Sequence, residues 1–401
     1  MRLLHTSDWH LGHTLRDMPR DHEHARFLEW LLETIGTESI DAMIVAGDIF
    51  DAANPPASAL QMYYDFLAEL RRRYPSLDVL IVGGNHDSPS RLDAPRNVLR
   101  SMRVHVIGSW SEPFVVSLGG ACVAAVPFLR PADLPPVAEA TGDTLVEGVR
   151  RVYAAAIDAA RAQRRPGQPL LTTGHCYMVG GAPSEMSERL VLGGNQHALP
   201  ADIFPDDIAY VALGHLHRPQ MVGGRDHVRY SGSVIPLAID EAIYQHQVLV
   251  VDLDGERFAG ARSVPVPRFV EFKRLPESDS ATFDEVLPLL EALEDAPEGA
   301  NRDKFPFLDI HIRLTGPDPG LASRVAEALA GKAARLARLE VPPVGTGRSI
   351  VEQLGKVHLS ERKESDVFRA CYKKQYDVEP PAELLQVFAE LFDQVKQEER
   401  S

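Results

Sequence analysis

DVLIVGGNHD, residues 78–87, sets a continuous apolar run, Val79 to Val82, directly against two glycines and then Asn85-His86-Asp87. An apolar run this short, bounded by glycines, is read as a strand buried on both faces. Such strands belong to sheets whose faces are covered by helices. The same scheme stands upstream in AMIVAGD (42–48), and again where Leu3-Leu4-His5 leads into the polar stretch HTSDWHLGH (5–13). Between these strands the spacing changes. Phe27, Leu28, Leu31, Leu32 and Ile35 mark one face of a helix over 24–35, and a second helix runs from about Pro55, a first-turn proline, to Tyr74. Strand, helix, strand, helix is the grammar of an α/β fold.

Further strands are expected at 121–126, 169–173, 208–213, 228–231 and 247–252, with a helix over 144–164 and another over 89–100. The stretch 175–205, rich in Gly, Pro, Ser and Asn, reads as a long irregular loop, and loops of that length usually carry function. Near 265 the character changes. FVEFKRL, a helix around 281–294, FLDIHIRL (307–314), a helix around 320–332 and ARLARLEV (334–341) form a β-α-β-α-β series. Leu308, Ile310, Ile312 and Leu314 alternate, as in a strand with one covered face. VPPVGTG (341–347) reads as a linker before a charged helical tail. In that tail Leu384, Leu385, Phe388, Leu391, Phe392 and Val395 make one apolar stripe, and 350–376 carries a less regular one. The expected parts are 1–265, 266–342 and 348–401.

The chain has 401 residues and a formal charge of −15, which argues against nucleic-acid binding by bulk charge. A polyanionic substrate would need local basic patches and metal cations. Candidate patches are Arg71-Arg72-Arg73, Arg164-Arg165, and Arg324, Lys332, Arg335 and Arg338, with Arg16, Arg20 and Arg91 nearer the motifs. Each also has the ordinary reading of a solvated surface. Three scattered cysteines exclude a disulfide framework or thiolate zinc site. No apolar run approaches the roughly 18 residues of a membrane span. A soluble, cytoplasmic protein is expected.

The chemistry lies at the strand ends. The first strand leads to Asp8-x-His10, the second to Gly47-Asp48 and the third to Gly84-Asn85-His86-Asp87. Gly174-His175 and Gly214-His215-Leu216-His217 follow two later strands. In open α/β sheets this edge binds ligands. Extended backbone would point Asp8 and His10 to one side with Trp9 turned to the core, and His215 and His217 likewise. Singly, each piece has a bland reading as a turn, helix cap or polar surface. Five in order do not. Seven candidate ligands are too many for one metal, and a carboxylate shared by two cations would use them all.

The set DxH…GD…GNHD…GH…GHxH resembles the calcineurin-like metallophosphoesterases. HTSDWHLG, VAGDIFD, GGNHDSPSRL, VPFLRP, ALGHLHRPQ and YSGSVIPLAIDE resemble, more narrowly, the nuclease subunits of bacterial double-strand-break repair complexes. The likeness is dense over about 1–255. It implies a β-sandwich flanked by helices, a small α+β capping domain facing DNA, and a C-terminal helical tail that binds the coiled coil of a partner ATPase. It also implies two Mn²⁺ per chain, with Fe²⁺ or Mg²⁺ as alternatives. Asp8, His10 and His217 would hold one cation, Asn85, His175 and His215 the other, and Asp48 would bridge. His86 would be the catalytic residue, acting on the phosphate. Asp87 would orient His86 or cap the next helix, and Ser231-Gly232-Ser233 would line the site. His5 reads as core or as support for the ligands, and His13 as solvent-facing or near the substrate.

The function so implied is cleavage of DNA phosphodiester bonds at double-strand ends and hairpins, in repair, replication and recombination. The chain would be a homodimer within a heterotetramer, nucleoid-associated, with no membrane partner. It has no Walker-type loop, so ATP dependence would come from the partner. Two other readings compete: a small-molecule phosphodiesterase or nucleotide phosphatase on the same two-metal core, and an inactive scaffold. The scaffold should have lost ligands, and none is missing.

Overall fold

β4 (Ala42–Ala46) is buried at every residue because both of its faces are covered. Ala42, Ile44 and Ala46 face a second sheet, while Met43 and Val45 face helices. The computed structural model describes all residues except 138–142, 183–197, 315, 317, 342–363, 377 and 399–401. Its contacts group into two units, Met1–Phe269 and Val270–Ser401.

In the first unit β1 (Arg2–Thr6), β4, β5 (Asp78–Val82) and β6 (Val104–Ile107) run parallel. β13 (Gln247–Asp254) and β14 (Arg257–Pro265) extend this sheet antiparallel, in the order β14-β13-β1-β4-β5-β6. The second sheet has the order β11-β12-β10-β9-β8-β7, from β7 (Phe114–Leu118), β8 (Ala121–Ala125), β9 (Leu170–His175), β10 (Tyr210–Gly214), β11 (Gln220–Val222) and β12 (Arg225–Tyr230). Small side chains such as Ala42, Ala46, Ala121, Ala125 and Ala212 let the two sheets meet face to face. α1 (Asp21–Thr37) and α2 (Ala57–Arg73) cover the outer face of the first sheet with Phe27, Leu31, Phe66 and Leu67. α5 (Thr144–Gln163) covers the second with Val152, Tyr153, Ala156 and Ile157, and its N-terminus is capped by Asp143, which accepts the Leu145 N–H at 2.9 Å. The result is a β-sandwich flanked by helices.

β2 (Thr14–Leu15) and β3 (Met18–Pro19) pair with each other outside these sheets, and the expected helix over 89–100 is two short ones, α3 (Pro89–Asp93) and α4 (Arg96–Ser101), interrupted at Pro95, which has no N–H to continue the ladder. His5 bridges the sheets: it accepts from the Tyr210 hydroxyl at 2.9 Å and donates to the Leu213 carbonyl at 3.1 Å. Burial pushes its pKa down to about 3, so it is a neutral core residue.

In the second unit β15 (Phe272–Leu275), β16 (Phe307–His311) and β17 (Arg335–Glu340) form a parallel three-stranded sheet. α6 (Phe283–Glu291) and α7 (Leu321–Ala328) pack on one face through Val286, Leu290, Leu321 and Val325 against Leu308, Ile310 and Ile312. In the tail, helices Glu364–Tyr376 and Ala382–Glu398 meet through stacked Phe368 and Phe388, 4.3 Å between ring centres. Gln375 donates to the Val341 carbonyl at 3.2 Å, and Tyr372 is buried. Residues 342–347 of the expected linker, the apolar positions Ile350, Val351 and Leu354, and residues 183–197 of the loop 175–205 lie outside the described residues. No helix among the described residues is long and apolar enough to cross a membrane.

Candidate metal centre

The centre gathers at the carboxyl ends of β1, β4, β5, β9 and β10, so both sheets contribute. Asp8 and His10 do not leave β1 as extended chain. Both are left-handed (φ 52° and 48°), as are Asp48 (φ 50°) and His215 (φ 105°). For non-glycine residues such backbone costs about 1–3 kcal/mol each and persists only where the surroundings enforce it. The enforcement is visible. Asp8 N–H donates to the Gly47 carbonyl and His10 N–H to the Asp48 carbonyl, each at 3.0 Å. Trp9, between them, is fully buried against Phe27 and Phe66. Asp8 and His10 therefore depart from the extended backbone expected of them: hydrogen bonds between the loops, not pleat, aim both inward. The glycines matter by proximity. A Cβ on Gly84 would collide with the Asp48 carboxylate, and one on Gly214 with the Ala46 carbonyl.

All eight expected residues come together. Asp8, His10 and His217 offer ligand atoms within 4.8 Å of one another, and so do Asp8, Asp48 and His175. His175 Nε2 lies 3.2 Å from Asp48 Oδ2 and 2.9 Å from Asn85 Oδ1, which also meets His215 Nδ1 at 3.0 Å. Asp48 thus stands between an Asp8 side and an Asn85 side. Its other oxygen accepts the His86 N–H at 2.8 Å. His86 Nδ1 donates to the Asp51 carbonyl at 2.7 Å, which leaves Nε2 as the ring's free lone pair.

Whether this set fits divalent cations can be tested on one atom. His10 Nε2 is buried without a hydrogen-bond partner, 3.6 Å from Asp48 Oδ2. That is too long for a hydrogen bond and suits two donors converging on one ion. Imidazole, carboxylate and amide oxygen without thiolate is a donor set that suits divalent cations. Electrostatics agree. Burial raises the Asp8 carboxyl, only partly offset by His175 and His217. Asp48 is held well below the usual range because His175 and His10 outweigh its burial. His175 is lifted to about 9, where Asp48 beside it overcomes desolvation. Burial lowers His86, so it is neutral at neutral pH.

The profile of calcineurin-like phosphoesterases matches residues 1–219, and that described as the type 5 capsule protein repressor C-terminal domain matches 268–376. SbcD, the D component of the SbcCD nuclease, from Rhodobacter capsulatus is 40% identical over 370 residues, 87% of this chain and 89% of that one. Its Escherichia coli K12 counterpart is 36% identical over 67% of this chain and 68% of its own length. The Bacillus subtilis counterpart is 31% identical over 100% of both. The chain belongs to the SbcD family of calcineurin-like phosphoesterases.

Within this family member, several side chains do other work than the sequence implied. Asp87 neither orients His86 nor caps the next helix. It accepts N–H groups from Ile49 (3.2 Å), Phe50 (3.0 Å) and Gly84 (2.9 Å), tying the loop after β5 to the loop after β4. Arg20 is fully buried, paired with Glu23 and donating to the Pro236 carbonyl at 2.7 Å. His13 is half-buried, and burial lowers its pKa to about 3. Ser231 meets Ser7 at 2.8 Å, and Ser7 in turn donates to Asp8. Arg71 serves the carbonyls at the end of α2, while Arg72 and Arg73 pair with Glu69. Arg324, Lys332 and Arg338 pair with Asp318, Asp295 and Asp309. Two residues behind the ligands, Asp51 and Glu241, end the stretches VAGDIFD and YSGSVIPLAIDE quoted above, but sequence reasoning gave neither of them a role.

Proposed function

We propose that this chain hydrolyses DNA phosphodiester bonds as the nuclease subunit of an SbcCD complex, using two Mn²⁺ ions. The observation that carries this reading is the convergence of Asp8, His10, Asp48, Asn85, His175, His215 and His217 from five strand ends, with His10 Nε2 buried and unpartnered. Asp8, His10 and His217 would hold one cation, Asn85, His175 and His215 the second, with Asp48 shared. When bound, such a pair supplies hydroxide at neutral pH and neutralises the charge on both the attacking and departing oxygens. The protein's own part is positioning. The loop-to-loop hydrogen bonds keep Asp8, His10 and Asp48 in their strained conformations. Asp87 holds the segment that carries His86. His86, with Nε2 free of the backbone, meets the phosphate; a proton taken up at Nε2 from water would pass to the leaving oxygen.

In this reading residues 266–342 form a DNA-facing cap, and the tail 348–401 docks on the coiled coil of the partner ATPase, SbcC, which supplies ATP dependence. The substrates are double-strand ends and hairpins, cut exonucleolytically and endonucleolytically, and the chain works as a dimer within the heterotetramer. The test is Mn²⁺-dependent degradation of linear duplex DNA, with and without the ATPase, against small diesters as the alternative substrate. Duplex cleavage stimulated by the ATPase and ATP is the expected result. Efficient hydrolysis of cyclic nucleotides with no DNA cleavage, even beside the partner, would replace this reading by a small-molecule phosphodiesterase.

A further inference from the structure

Among the described residues, both imidazoles on the Asp8 side are backed by carboxylates, whereas His175 on the Asn85 side is backed by a backbone carbonyl. His217 Nδ1 donates to Glu241 Oε1 at 2.7 Å, and His10 Nδ1 donates to Asp51 Oδ1 at 3.1 Å. Across the centre, His175 Nδ1 donates to a neutral group, the Ala46 carbonyl, at 2.8 Å. The charge of the nearest oxygen donor differs in the same sense: Asp8 is a carboxylate, Asn85 an amide.

Glu241 is placed to act on His217. It is 0% exposed and sits in a short 3₁₀ turn, Ile239–Ile243. Its second carboxylate oxygen accepts the Leu237 N–H at 2.7 Å. Its backbone carbonyl meets His246 Nε2 at 3.2 Å, and His246 is held in turn by Ser233. Ser233 N–H donates to the His217 carbonyl at 3.0 Å, so the network that holds Glu241 also grips His217 from its backbone. A carboxylate held this firmly keeps the proton of His217 on Nδ1, turns the Nε2 lone pair to the Asp8 side, and makes it a stronger donor.

Resting on the two-cation reading above, we propose that Glu241 is a positioning residue for His217. With Asp51 behind His10, it makes the Asp8–His10–His217 position the tighter of the two cation positions and the first to fill. The test uses the full chain, stripped of metal and titrated with Mn²⁺ while bound and free ion are followed by electron paramagnetic resonance. Wild type should show two classes of site, the tighter filling first as an isolated ion. Glu241→Gln keeps an acceptor oxygen and the shape of the side chain but removes the charge. It should weaken the tight class by about 10- to 100-fold and leave the weak class unchanged. Asp51→Asn, at a more exposed side chain, should weaken the same class and keeps the test decisive if the buried variant folds poorly. Melting of the metal-free variants reports that folding. Nitrogen NMR of His217 in the metal-free protein should show the proton on Nδ1 in wild type and a tautomer mixture in Glu241→Ala. Two equal classes in wild type, or equal weakening of both classes in the variants, would overturn the inference while leaving the two-cation reading intact. Failure of wild type to bind Mn²⁺ would overturn that reading itself.

Discussion

Each unit buries a cluster of imidazole and carboxylate, and the two are built on opposite terms. In the second unit Asp309, His311 and Glu340 lie within ligand distance of one another on β16 and β17. Arg338 closes that cluster. It donates twice to Asp309 at 2.7 Å and lies 3.3 Å from Glu340, while His311 Nε2 donates to Asp309 at 2.8 Å. Strand alternation, with a register shift between Leu308 and Asp309, places these residues, and arginine neutralises them. In the first unit the ion-pair partners of Asp48 are imidazoles, one of which meets it through a buried nitrogen that has no hydrogen bond, and four of the residues sit in left-handed backbone. The same residue types at similar density therefore mean different things. Strain plus an unsatisfied donor atom marks a place for a cation, and a guanidinium in the middle marks a structural network.

The sharpest way to break this contrast is to cut the bridging carboxylate. Asp48→Ala should lose bound metal and with it all Mn²⁺-dependent cleavage. His86→Ala should keep the metal and lose about 10²- to 10⁴-fold in rate, as expected of a general acid. Metal analysis of the two purified variants decides: equal loss from both would remove the distinction between ligand and catalytic residue.

Metal removal should be felt by one unit only. An ion at about 100 times its dissociation constant stabilises its host by about 2.7 kcal/mol. Calorimetry with Mn²⁺ and after chelation should move the transition of the first unit and leave that of the second in place. A smaller effect follows from Asp309→Ala, which strands Arg338 and His311 without their shared acceptor. A loss of about 1–3 kcal/mol of stability is expected, with metal content unchanged. A loss of bound Mn²⁺ in that variant would make the second cluster a metal site after all. The smallest effect on the centre is expected from removing 348–401. Metal content and basal nuclease activity should persist while stable association with the ATPase is lost, and a truncated chain that still co-purifies with the partner would take the tail out of the interface.

The donors were legible in the sequence because each stands just beyond an apolar strand, where chain position and spatial position coincide. The covered strands were legible for the same reason: AMIVA and DVLIV can only be buried on both faces. Other features depend on contacts far apart in the chain. Glu241 looks like any acidic residue after a strand until the fold brings it behind His217. Arg20 reads as a surface arginine until Glu23 and the Pro236 carbonyl enclose it. β6 and β7 escaped notice because they are edge strands; β7, in FVVSL, mixes half-buried, buried and exposed positions. The left-handed residues carry no compositional mark, since aspartate and histidine fit many backbones and only the neighbouring loop decides which one.

The bond from His215 N–H to Asp8 Oδ1 closes a separation of 207 residues, and β13, which pairs with β1, lies later still in the chain. On the ribosome, a chain that has emerged only through its first sheet's parallel strands carries Asp8, His10, Asp48 and Asn85 but none of the three histidines from the second sheet. Cutting activity therefore cannot precede the synthesis of β9 and β10, and a chain terminated before His175 lacks three of the seven donors.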